Sequence, residues 1–187
     1  MTSKSLIILS ILGVFTNLPA AKAEESHAIF FNQLKKICGH SYEGTVVASN
    51  ESDEKWRQSK LIIHAPACTA DMTKQIRIPL HVGEDKSRTW IITKSATGLS
   101  LKHDHRHKDG TPDAVSMYGG HTTTKGSPTS QDFPVDDFSK ALFIKEGLKQ
   151  STTNVWTLTL NSKGRLSYRL SRPGREFEVS FDLNKPL

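Results

Sequence analysis

The chain has little cysteine, few long apolar runs and none of the common nucleotide or nucleophile motifs. Cys38 and Cys68 are its two cysteines, and no C-x-x-C spacing occurs, which argues against a thiol redox centre. No Gly-rich phosphate loop is present, since GLSLK at 98–102 lacks the required spacing. No Gly-x-Ser-x-Gly nucleophile turn occurs either. The basic excess is small, a formal +6 spread along the chain, where nucleic-acid binding needs a concentrated stripe. Internal repeats, linkers and low-complexity segments are missing too, which leaves one domain.

One apolar run stands out, Leu6 to Phe15, behind Lys4. It is about ten residues, against the ~20 needed to span a bilayer core. A break at Asn17, Leu18 and Pro19 follows, then the small-x-small pattern Ala21-Lys22-Ala23. This is the layout of a secretory signal peptide. Residues 1–23 are expected to be removed, leaving 24–187 as an exported chain, periplasmic or secreted, with no transmembrane segment. Loss of Lys4 and Lys22, and of no acid, lowers the formal charge from +6 to +4. About 164 residues suffice for one full core.

Both cysteines fall in the exported part, where disulfides persist, and their even number favours one Cys38–Cys68 bridge.

Hydrophobic periodicity predicts a mainly β fold. SHAIFFNQLKKIC, residues 26–38, has helical spacing, with Ile29 or Phe30, Gln33 or Leu34, and Ile37 on one face and Gly39 as the stop. The period then changes to two. Strands are expected at GTVVAS, over Trp56 to His64, at IRIPLHV, RTWIIT, the segment 99–107, AVSMYGGH, NVWTLTL, LSYRL and EFEVSFDL. Thr122 to Gln131 reads as a surface loop. A late helix is expected over about Asp136 to Glu146, capped by Asp136 or Asp137, buried through Phe138, Ala141 and Leu142, and stopped by Gly147. About nine short antiparallel strands with an N-terminal helix and one late helix make a barrel-like or sandwich domain. The order of elements resembles small ligand-holding barrels of the calycin or lipocalin type, an analogy of topology that carries no function. LKHDHRHKDG and MYGG resemble a group of exported bacterial proteins of unassigned function, over about residues 76–185, and that resemblance implies no activity, ligand or catalytic residue.

The chief functional signal is the alternation in LKHDHRHK, residues 101–108. Leu99, Leu101, His103, His105 and His107 share one face of a strand, and Ser100, Lys102, Asp104, Arg106 and Lys108 share the other. The histidines thus extend an apolar face toward the turn DGTPD at 109–113. If DGTPD is the whole turn, His107 pairs near Val115, His105 near Met117 and His103 near Gly119, which places His121 opposite Leu101 and leaves open space beside His103. Two of the three histidines, with His121 or Asp113, form a candidate ligand set for zinc or another divalent transition metal such as copper or nickel. The same residues could instead be a hydrogen-bonded rim around a polar small ligand. His-x-His on a strand is also similar to the cupin pattern, which would imply a metal-dependent enzyme. Here the acid could only be Asp113, and the spacing departs from that pattern. The functions left open are an exported binding protein, such an enzyme, and a structural or interaction module of the cell envelope. Arg165, Arg169, Arg172 and Arg175 around the last hairpin read as a solvated face.

The expected bridge has a direct test. Unfolding without reductant should expose no titratable thiol, and reducing the bridge should destabilise the domain by about 3–4 kcal/mol on the loop-entropy model.

Overall fold

The computed structural model describes residues 18–67 and 74–187, with side chains from Glu25 onward. Cys68, and with it the bridge to Cys38, lies outside the described residues, as does the leader up to Asn17.

Ten antiparallel strands form a nearly closed barrel. They are β1 (Ser41–Ala48), β2 (Leu61–His64), β3 (Gln75–Val82), β4 (Asp85–Ser95) and β5 (Gly98–His105), followed by β6 (Tyr118–His121), β7 (Ser130–Pro134), β8 (Val155–Leu160), β9 (Arg165–Arg172) and β10 (Arg175–Asp182). Strands consecutive in sequence are neighbours in space, and β1 pairs with β10, Val46 opposite Val179. The seam lies between β6 and β7, where one bridge, Gly120 to Val135, joins the ends of the sheet. Closure removes the sheet edges that would otherwise be open to other chains.

Alternation places the core. Ile76, Ile78, Leu80 and Val82 of β3 are buried, as are Phe177, Val179 and Phe181 of β10. Helix α1 (Leu18–Leu34) contacts β4, β5 and β7. It buries Phe30, Phe31 and Leu34, while His27 Nε2 donates to the Thr124 carbonyl at 3.1 Å. A 3-10 turn over Lys35–Ile37 and Gly39, at φ 76°, end it. The helix therefore stops earlier than the spacing predicted, and Ile29 lies off its buried face. Among the described residues no helix is long and apolar enough to cross a membrane.

Three other expectations change. Trp56 to His64 is not one strand: helix α2 (Glu54–Gln58) occupies its first part, with Arg57 and Gln58 both donating to Glu54. The stretch read as a loop ends in β7, whose Gln131 and Phe133 turn inward among Ser and Thr that masked its period. Helix α3 (Asp137–Lys145) has the expected cap, Asp136 accepting from the Ser139 amide, and stops at Gly147 with φ 74°. Its buried residues are Ser139 and Phe143, however, and Phe138 and Ala141 are exposed. Ser139 is inside because its hydroxyl accepts from the Gly119 amide at 2.7 Å, tying α3 to the seam.

The seam depends on a bare backbone. A Cβ on Gly120 would overlap the carbonyl groups of Phe133 and Pro134. Gly120→Ala should therefore lower stability by about 2–3 kcal/mol in denaturant unfolding, at the large end for one substitution.

Candidate functional site

The end of the barrel away from α1 is formed by the β1–β2, β3–β4, β5–β6, β7–β8 and β9–β10 connections. Below them lies a cavity of about 130 Å³. Its walls are aromatic: Trp56 from α2, Trp90 from β4, Tyr118 from β6, Trp156 from β8, Tyr168 from β9 and Phe177 from β10. Each strand residue holds an inward position in its alternating pattern, so all converge once the sheet closes. Trp90 stacks on Tyr168 at 4.4 Å between ring centroids, and His103 stacks on Tyr118 at 4.7 Å.

His103 is fully buried, and both its nitrogens are engaged. Nδ1 lies 3.3 Å from the Tyr118 carbonyl and Nε2 lies 2.8 Å from the Tyr168 hydroxyl. A carbonyl only accepts, so Nδ1 carries the proton and Nε2 accepts from Tyr168. Burial pushes the His103 pKa down to about 3, keeping the ring neutral. His105 is half-buried at the rim, its Nε2 3.2 Å from the Tyr118 hydroxyl. Burial and then the Arg88 charge lower its pKa. Burial raises the phenols: Tyr118 to about 12, and Tyr168 further.

Two arginines stand at the mouth. Arg88 pairs with Asp85, and its guanidinium lies 5.3 Å from the Trp56 ring centroid. Arg175 grips the buried Asp53 with both terminal nitrogens, Nη2 at 2.6 Å from Oδ1, and also bonds Asn50 Oδ1 at 3.1 Å. Arg172 donates to Asn154 Oδ1 at 3.0 Å. The arginines around the last hairpin are therefore not uniformly solvated: Arg175 lines the cavity. Among the described residues, no carboxylate lines it.

The expected ligand set is only partly assembled. His103 and His105 reach the cavity, while His107 is exposed outside it and His121 is exposed on the outer face. Asp113 is half-buried near His105, its Oδ1 accepting from the Val115 amide at 2.8 Å. The register explains this. Arg106 bridges Pro112, yet His103 pairs with Tyr118, so three steps along β5 match six along the returning chain. The odd excess inverts the face, setting His121 opposite Ser100 rather than Leu101. Met117, at φ 58°, absorbs the turn back into β6. Ser116 secures the bulge: its hydroxyl accepts from the His105 amide at 2.8 Å and donates to Asp104 at 3.3 Å.

Asp104 corrects a second expectation. It lies on the outward face but is buried, clasped by Arg77 at 2.9 Å and Arg106 at 2.8 Å. Burial raises its pKa, but the two arginines outweigh that and the net shift is downward. The space expected beside His103 is also filled, because Gly119 and Gly120 let the β5 and β7 backbones approach instead.

A metal at this rim does not fit the residues present. His103 has no free lone pair, and His107 and His121 lie outside the cavity, which leaves His105 as the one imidazole of the set still available there. Trp56, Trp90, Trp156, Tyr168, Arg88 and Arg175 were not singled out from sequence as cavity residues. They come from separate elements, and their convergence is visible only once the strand order is known.

No protein-family model, curated protein or solved structure matches the chain.

The neutral His103 ties stability to pH. Its pKa is about 3 folded against the ordinary 6.5, so below 6.5 the unfolded chain takes up a proton that the folded chain refuses. The stability contribution is complete above 6.5 and declines as pH falls toward 3. Melting temperatures across that window should fall less steeply for His103→Gln than for the parent. Tyr168→Phe, which strands the buried Nε2 without a donor, should cost about 1–3 kcal/mol at neutral pH.

Proposed function

We propose that this chain is an exported binding protein that holds a small planar ligand with an anionic group in the end of its barrel. Residues 1–23, with their signal-peptide layout, support export. The observation that carries the ligand class is the lining itself: aromatic walls, neutral histidine and tyrosine dipoles, and two arginines at the mouth. Flat rings favour a flat guest through offset stacking and edge contacts. The cavity, about 130 Å³, compares with the ~150 Å³ cavity that admits benzene in an engineered protein, so one ring fills it.

The electrostatics give the head group. The cations are guanidiniums, which match carboxylates in a bidentate fork. Arg175 spends its fork on Asp53, whereas Arg88 holds Asp85 through Nη1 and turns its remaining donors to a ligand anion. Catalysis by proton transfer has less support. His103 and Tyr118 have pKa values near 3 and 12, far from the neutral range in which a general acid or base works best.

Tryptophan fluorescence tests the reading, because Trp56, Trp90 and Trp156 all face the cavity. Single-ring carboxylates should change the emission saturably, and the corresponding amides should bind more weakly. Arg88→Gln should weaken the carboxylates by roughly ten- to a hundredfold, the worth of a charge-assisted bond, and narrow the gap to the amides. Equal binding of acids and amides, or no saturable binding, would reject the anionic ligand.

A further inference from the structure

On the outside of the barrel, three polar side chains from three neighbouring strands meet. Ser41 Oγ of β1 lies 2.8 Å from Nδ1 of His64 on β2, and His64 Nε2 lies 2.9 Å from Nδ1 of His81 on β3. The ladders produce the meeting. Ser41 is directly opposite His64, and His81 is opposite Ile62, one diagonal step from His64 on the same face. The two imidazoles tilt toward each other with centroids 4.1 Å apart, and all three side chains are half-buried, open to solvent on one side.

Two ring nitrogens at this distance hold one proton between them. Without that proton, two lone pairs face a common point, which is the electronic arrangement of a chelate. Nothing in the cavity reading uses these residues.

We propose that His64 and His81 are a pair of cis ligands for a divalent copper or nickel ion, with Ser41 as a positioning residue. The hydrogen-bonded spacing already matches a cis pair of ligands. Two metal–nitrogen bonds of about 2.0–2.1 Å at about 90° span about 2.9 Å, the separation found here. A tetrahedral zinc angle would need about 3.3 Å. Square-planar or tetragonal geometry, with nitrogen and oxygen donors, is the preference of Cu²⁺ and Ni²⁺, and water completes the remaining positions. With His64 protonated on Nδ1 and donating to Ser41 Oγ, the proton between the rings is on His81 Nδ1; on binding it exchanges through solvent onto His81 Nε2, so both facing nitrogens become lone-pair donors and no net proton is released. No electron is transferred. The Ser41 contact is the outer hydrogen bond that orients a ligating imidazole.

Copper titration of the untagged chain, read by electron paramagnetic resonance and chelator competition, tests the site. The parent should bind one Cu²⁺ with hyperfine coupling to two nitrogens. His64→Ala and His81→Ala should each lose the two-nitrogen signal while keeping the parent circular dichroism. Ser41→Ala should keep both nitrogens and bind about tenfold more weakly, and His107→Ala and His121→Ala should match the parent. A two-nitrogen signal that survives in both His64→Ala and His81→Ala, or one absent from the parent, would overturn the assignment.

Discussion

Ring closure governs this molecule. Ten strands share one continuous hydrogen-bonded sheet, and its two ends must meet for the interior to stay dry. They meet through very little. Gly120 bridges Val135, and the Asp136 amide donates to the Gly119 carbonyl at 3.0 Å. The two glycines permit that approach, and α3 stands over it with Ser139 hydrogen-bonded to Gly119. The same few residues set the cavity, since Tyr118 and Trp156 face it from beside the seam. Closure and site are thus one structural event.

The interior is divided along the barrel axis. Beneath α1 it is filled mostly with branched and aromatic apolar side chains, with His27, Thr122 and Gln131 buried beside them. At the other end the buried polar side chains are hydrogen-bonded. His103 is the clearest case: a buried imidazole is tolerated because the Tyr118 carbonyl and the Tyr168 hydroxyl satisfy both nitrogens. Outside, Asp104 answers the same demand with two arginines and Ser116. Residues 103–106 therefore carry opposite solutions on opposite faces of one strand end.

Much of this was legible in the sequence. Period-two alternation gave β1, β3, β4, β5 and the last three strands, and the inward direction of Leu99, Leu101 and His103 followed from it. Asp136 and Gly147 marked the ends of α3 by capping chemistry. The failures have a common cause. Local periodicity says which residues share a face, but not how many residues a connection spends before the next strand begins. The bulge at 114–116 has no such signature, and it moved His121 to the outer face. The exposed stripe on α3 arose similarly, because Ser139 went inward to meet a glycine amide that no helical period foresees. The aromatic walls come from five strands and α2, so their convergence belongs to topology.

The pairing of β1 with β10 has a consequence in time. Gly44 faces Phe181, so the strand formed first along the chain waits for the last. Until β10 exists, the free edges of β1 and of the growing sheet offer unpaired backbone groups, the feature that draws other chains into association. Contacts between such distant residues also form slowly. A chain interrupted before β10 would keep most of its strands and yet lack one wall of the barrel. The final hairpin is therefore a completion signal: its arrival turns an adhesive open sheet into an inert closed one.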